Sequence, residues 1–245
     1  MKRQIVAIIQ ARTGSTRLPG KVLKDIDGET MLSRVVRRVR RANLLNDVVV
    51  ATTVEPSDDA ILAECRRLDV SVFRGDTQDV LGRYYEAAET HQAQFVVRIT
   101  SDCPLIDPGV IDHVIHAFLS ELPDYASNTL IRTYPRGLDT EVMTTSVLGK
   151  AYDEAVKPYQ RVHVTPYIYE NPCLFKLLSV KAETNHSQHR WTVDTQEDLD
   201  FVRAIYARLG NSEIFSWRDV LALLAHDPEL AELNLRVIHK TLEQG

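Results

Sequence analysis

Residues 5–9 read Ile-Val-Ala-Ile-Ile, an apolar run with no polar residue interleaved. A strand with one face in water alternates apolar and polar side chains. An unbroken run therefore predicts a strand covered on both faces, as in a parallel sheet under helices. Two later runs repeat the pattern, "DVVVATT" at 47–53 and "FVVRITSD" at 95–102, and "VSVFRG" at 70–75 is a shorter one. The stretches between them have helical spacing. Residues 30–44 place Met31, Val35, Val36 and Val39 on one face and arginines on the other, a solvated face in preference to a nucleic-acid patch. "SDDAILAECRRLD" opens with a Ser/Asp cap, "DVLGRYYEAAETHQ" follows, and "PGVIDHVIHAFLS" carries Pro108 near its first turn.

This β-α-β-α order predicts an α/β fold: a Rossmann-like, mostly parallel sheet with helices on both faces, as one domain over residues 1–245. From about 124 to 172 the rhythm breaks into extended pieces around a Pro-Arg-Gly turn, read as a β-rich, irregular insertion. Beyond it, "LFKLLSV" and "RWTVDT" read as strands and "QEDLDFVRAIYARLG" as a helix stopped by Gly210. A last helix, in "SWRDVLALLAHDPELAELN", breaks near Asp227-Pro228.

Composition excludes several classes. The net charge of -5 argues against a protein that binds nucleic acid through its overall field, so any anion site is local. Cys65, Cys103 and Cys173 are far apart, odd in number and form no CxxC, which argues against a disulfide framework or structural zinc and fits a reducing cytoplasm. The apolar stretch after the basic start is too short for a signal peptide, and no segment approaches the roughly 20 apolar residues of a membrane span.

Ligands of open parallel sheets bind beyond the carboxyl ends of the strands. There the first strand runs into "QARTGSTRLPGKVL", residues 10–23, with two glycines and three cations, Arg12, Arg17 and Lys21. Glycines let the backbone approach a phosphate closely, arginine grips phosphate oxygens with a planar fork, and lysine adds a compact charge. A polyphosphate site explains the loop. It is not a Walker A motif, because five residues separate Gly14 from Gly20 and Val22 follows Lys21. The G-x-G-x-x-G fingerprint is also absent.

"AIIQARTGSTRLPGKVL" resembles the opening of sugar nucleotidyltransferases, specifically the cytidylyltransferases that activate 3-deoxy-manno-octulosonate and acylneuraminate sugars. The resemblance continues in order through "VVVATT", "FRGDTQDVLGRYYEAA", "VRITSDCPLIDP" and "RWTVDTQEDLDFVRAIY". "YPRGLDTEV" and "HVTPYIYENP" look like the SpsF-like branch, named for spore-coat polysaccharide biosynthesis. The resemblance implies a nucleotide-diphospho-sugar transferase fold and an Mg²⁺-dependent reaction of CTP with a sugar-like acceptor, releasing pyrophosphate. It assigns the nucleotide to Arg12, Gly14, Ser15, Arg17, Lys21, Arg74 and Asp102, with Lys21, Arg12 and Asp102 catalytic. It assigns metal to Asp102 and Asp194 and places Arg136, Asp139 and Glu141 on the acceptor side. It also implies a homodimer whose interface draws on residues 124–172, where Val164, Tyr167 and Ile168 lie at helical spacing.

From the residues alone, Asp102 and Asp194 read equally well as helix caps, and "PRGLDTEV" as a salt-bridged turn. His163 and Tyr167 could face the site or pack. Trp191 reads as packing in preference to a base stack. Two other functions compete: a GT-A glycosyltransferase, against which "SDCP" lacks the second aspartate of Asp-x-Asp, and a non-catalytic coat or scaffold protein with a degenerate pocket.

Overall fold

A computed structural model describes residues 4–210 and 214–238; the basic start at 1–3 lies outside the described residues. Its elements run β1 (Ile5–Gln10), β2 (Asp25–Ile26), β3 (Glu29–Thr30), α1 (Met31–Val39), β4 (Asp47–Thr53), α2 (Asp59–Arg67), β5 (Ser71–Gly75), α3 (Val80–Thr90), β6 (Phe95–Thr100) and α4 (Pro108–Glu121). Then follow β7 (Tyr125–Ser127), β8 (Glu141–Thr144), α5 (Thr145–Glu154), α6 (Pro158–His163), α7 (Pro166–Tyr169), β9 (Leu177–Ser179), α8 (Gln196–Leu209), α9 (Trp217–His226) and α10 (Glu229–Glu232).

Seven strands form one sheet in the order β5-β4-β1-β6-β8-β7-β9. Only β8 runs antiparallel to its neighbours; β2 and β3 pair separately. Successive side chains of a strand face opposite ways. Ile5, Ala7 and Ile9 accordingly join a core with α1, α2, α4, α8 and α9, while Val6 and Ile8 join another with α3, α5 and the α6–α7 segment. The unbroken apolar run is thus explained by helices on both faces, and the expected α/β class holds. Among the described residues no helix is long and apolar enough to cross a membrane.

Three local readings differ from the structure. Residues 124–172 are not irregular throughout: β7 and β8 extend the sheet, and α5 to α7 cover it. "RWTVDT" is not a strand beyond a single bridge, Arg136 to Arg190. Its backbone crosses the sheet end instead, with Trp191 N donating to Arg136 O at 2.7 Å and Val193 N to Asp102 O at 2.8 Å. The arginines of α1 are not all solvated, since Arg34 and Arg38 are buried. Arg34 donates to the carbonyls of Ile26 and Asp27 and stacks on Tyr206; Arg38 donates to those of Ile106 and Phe215 and stacks on Phe215. Carbonyls out of reach of backbone donors are satisfied by guanidinium groups whose apolar stems pack in the core.

The 136–190 crossing depends on Gly137. It has φ +110, and a Cβ there would stand 2.7–2.9 Å from backbone atoms of Trp191 and Thr192. Gly137→Ala is expected to cost about 1–3 kcal/mol in denaturant unfolding. Gly14→Ala, where a Cβ meets nothing within 4 Å, is expected to stay near wild type. Equal stability of the two variants would refute the crossing as a constraint.

Candidate active site

The loop after β1 is fixed before any ligand is considered. Asp58 precedes α2 but makes no side-chain cap bond. Its carboxylate accepts instead from Thr13 N at 2.8 Å, Thr13 Oγ1 at 2.6 Å and Thr53 Oγ1 at 2.5 Å. The Ser/Asp cap reading is therefore corrected: this aspartate ties the loop to the end of β4. Burial raises the Asp58 pKa, but the hydrogen bonds from Thr13 and Thr53 outweigh it and leave it below its ordinary value. Within the loop Ser15 N and Gly20 N both donate to Thr13 O. Gly20, at φ +65, turns the chain into a 3-10 turn over Lys21–Leu23.

That turn aims Lys21 inward. Its Nζ donates to Asp102 Oδ2 at 3.0 Å, Asp194 Oδ1 at 2.9 Å and Val193 O at 2.8 Å. Neither aspartate is an N-cap. Asp107 caps α4, and Thr195 caps α8 with Asp198 completing a capping box. Asp102 is steadied by Thr100 Oγ1 at 2.6 Å. Asp194 also meets Arg17 at 3.1 Å and Arg190 at 2.8 Å. Arg190 is itself anchored on the fully buried Asp198, whose carboxylate accepts from Asp194 N as well.

The charges reinforce one another. Burial pulls the Lys21 ammonium down, but Asp102 and Asp194 outweigh it and hold it above its ordinary value. Burial pushes Asp194 up, yet Lys21, Arg17 and Arg190 together bring it down to about 2.

A cavity of about 270 Å³ opens over this cluster, walled by Arg12, Ser15, Arg17, Lys21, Arg83 and Asp102, with Asp194 and His163 at its border. The structure thus brings together six residues expected from three distant stretches of sequence: Arg12, Ser15, Arg17, Lys21, Asp102 and Asp194. Gly14 and Arg74 are not in its wall. Arg74 donates to the carbonyls of Thr53 and Glu55 and pairs with Asp59. Sequence reasoning singled out neither Arg83, on the first turn of α3, nor Asp58: Arg83 ends the "FRGDTQDVLGR" stretch that the resemblance covers, and "PSDD" carries no motif that marks Asp58.

A second cavity, of about 390 Å³, adjoins the first through the shared wall residue His163. Arg98, Arg132, Asp139, Glu141 and Tyr169 line it. Asp139 takes a two-pronged ion pair from Arg132, at 2.6 and 2.8 Å. Glu141 pairs with Arg98 and accepts from Tyr125 Oη at 2.5 Å. Arg136 lines neither cavity. Val164 and Ile168 are fully buried in the chain's own core, Tyr167 bonds Glu154 rather than the site, and Trp191 is packed in the core.

The description "Cytidylyltransferase" belongs to the family model that matches residues 6–223. The chain belongs to the cytidylyltransferase family. This cytidylyltransferase is 33% identical to the spore coat polysaccharide biosynthesis protein SpsF of Bacillus subtilis, over 93% of this chain and 96% of that protein. Over 51% of its length it is 41% identical to the 3-deoxy-manno-octulosonate cytidylyltransferase of Geobacter sulfurreducens, covering 49% of that enzyme. Among solved structures, a cytidylyltransferase from Leptospira borgpetersenii superposes with a TM-score of 0.91 at 35% identity, covering 97% of this chain and all of the other. The SpsF-like resemblance and the nucleotidyltransferase class both stand.

The depressed Asp194 pKa makes a stability prediction. A group held below its ordinary 3.8 contributes fully above about pH 4 and loses its contribution as the pH falls toward 2. Wild type is expected to exceed Asp194→Asn by about 2 kcal/mol at pH 6 in urea unfolding, with the gap closing toward pH 2. A gap independent of pH would contradict the ion-pair cluster.

Proposed function

We propose that this chain transfers CMP from CTP to a hydroxyl of a sugar-like acceptor used in surface-polysaccharide biosynthesis. The acceptor oxygen attacks the α-phosphorus, an O–P bond forms, the bond to the β-phosphate breaks, and pyrophosphate leaves. One observation carries the reading: Lys21 lines a cavity whose cations come from the first loop and α3 and whose carboxylates come from the turn after β6 and the segment before α8. Its support is the family membership and the cytidylyltransferase activity for which one of the relatives is named.

In this reading Lys21 and Arg12 hold the β- and γ-phosphates, with Ser15 and Arg17 beside them. Fixed cations at the leaving group lower the barrier because charge builds there in the transition state. Asp102 and Asp194 fit a divalent cation: both are hard oxygen donors and already converge on one positive charge. Among the described residues no group of three or more His, Cys, Asp or Glu could hold a metal. The pair therefore suits an ion that completes its shell with phosphate and water. Mg²⁺ bound there would offset charge on the phosphates. The second cavity takes the acceptor. Asp139 and Glu141 shape its wall through their ion pairs, and Arg136, which makes no side-chain hydrogen bond or ion pair among the described residues, stands ready near Asp139 for an anionic group. Arg74 and Gly14 act at one remove, through the backbone that frames the nucleotide.

A homodimer belongs to the same proposal, now resting on the exposed Ile131 and Val156 of the 124–172 stretch, 54% and 86% exposed. A cytoplasmic setting fits three free cysteines. Light scattering is expected to give twice the 27.8 kDa chain mass; a monomer at micromolar concentration would remove the dimer and leave the chemistry standing.

The decisive test is pyrophosphate release. Purified enzyme with Mg²⁺, CTP and a panel of sugar and sugar-acid acceptors is expected to release it, and UDP-sugars are expected to be inert. Lys21→Ala and Arg12→Ala are each expected to lose about 100-fold or more in kcat/KM while keeping their Tm. Near-normal turnover in either variant would sink its phosphate role.

A further inference from the structure

Arg83 is a buried cation, and two of its nitrogens have no partner. It is 2% exposed, yet Nε and Nη1 make no hydrogen bond. Buried donors without partners are costly and rare, so a group held in that state has a partner that arrives from outside the chain. Burial, with a further contribution from the charge of Arg12, pulls its pKa below the ordinary value.

The fold is shaped to hold it there. A Cβ on Gly75 would stand 2.8 Å from Arg83 Cγ, so the end of β5 leaves room for this stem. The start of α3 is locked by Asp79, which caps Gly82 N at 2.9 Å and pairs with Arg161 of α6. The guanidinium is therefore delivered to the cavity wall by a helix that is pinned on both sides.

Its place in the wall indicates which ligand group it meets. Lys21 and Arg17 are already engaged by Asp102 and Asp194. Arg12 makes no hydrogen bond or ion pair among the described residues, so Arg12 and Arg83 are the two uncompensated cations of the cavity. A neutral base edge would satisfy donors but leave two neighbouring positive charges unbalanced, whereas the successive phosphates of one nucleotide balance both. Arg83 lines the cavity together with Val162 and His163 of α6, and His163 also borders the second cavity. Arg83 is carried by α3, which packs against α6, so it reaches the first cavity from the side of the element whose His163 borders both cavities.

We propose that Arg83 grips the α-phosphate of the bound nucleotide, the group that is transferred, and is a catalytic residue of this enzyme. The proposal rests on the cytidylyltransferase reading above. A guanidinium on the non-bridging oxygens of the α-phosphate stays engaged as the acceptor oxygen bonds to phosphorus and the β-phosphate oxygen departs.

Calorimetry with cytidine, CMP and CTP on wild type, Arg83→Gln and Arg83→Lys tests it. Wild type is expected to bind CMP about 10-fold or more tighter than cytidine, the increment of a charge-assisted contact to one phosphate. Arg83→Gln is expected to lose that increment while its cytidine affinity stays unchanged, and to lose about 100-fold in kcat with little change in acceptor KM. Arg83→Lys keeps the charge and is expected to recover part of both; it also carries the comparison if the glutamine variant melts below the assay temperature. An intact CMP increment in Arg83→Gln would overturn the proposal. So would an equal loss of cytidine and CMP affinity, which marks a base-reading or structural role. Wild type that binds none of the three would defeat the cytidylyltransferase reading itself, and Arg83's role with it.

Discussion

The Lys21 ammonium between Asp102 and Asp194 is the contact on which the site depends. It joins the loop after β1, the turn after β6 and the segment before α8 through contacts of 2.8–3.0 Å. The loop is glycine-rich, the turn after β6 is short, and "RWTVDT" lacks a strand ladder. What fixes the last is a relay: Asp198 holds Arg190, Arg190 holds Asp194, and the crossing at Gly137 sets the height of the chain. A buried, multiply bonded cluster of this kind is high-stakes, because removing one member leaves the others charged and unpaired.

The sequence made the sheet legible and left the cluster half-legible. β1, β4 and β6 are apolar runs with both faces buried, and that pattern is local, so the α/β class could be read from them directly. The loop cations could be read as an anion site because glycine and arginine have few other reasons to occur together there. Asp102 and Asp194 could not be paired from the residues, since 91 positions lie between them in the chain and each sits where a cap also fits. The resemblance supplied the pairing. The structure then shows that the cap roles belong to Asp107 and Thr195.

The same limit explains the misread segments. β7 and β8 are short, and β8 is the antiparallel member of a parallel sheet, so neither has the long apolar signature that betrays β1. Val164 and Ile168 lie at helical spacing because they fill the core under α5, where the same spacing would serve an interface equally well. The arginines of α1 give the clearest case. Arg34 and Arg38 lie one helical turn after Met31 and Val35, on the flank of the apolar stripe, and nothing in the sequence shows that Ile26, Ile106 and Phe215 would offer carbonyls to them.

Burial alone therefore does not separate structural arginines from functional ones in this chain. Arg34, Arg38, Arg83 and Arg190 are all nearly inaccessible. Three of them are spent: Arg34 and Arg38 on carbonyls and aromatic faces, Arg190 on two aspartates. Around the second cavity Arg132 is matched to Asp139, and Arg98 to Glu141 and Gln10 with only its Nε bare, so its charge is balanced where that of Arg83 has no ion pair. Folding satisfies a buried guanidinium wherever it can, because the cost of leaving its donors bare falls on the native state alone. An arginine left incomplete inside a pinned helix, against a cavity already rich in positive charge, is thus a sign of a ligand in a way that a solvated arginine is not. By that criterion the cationic loop and Arg83 belong to one anion site.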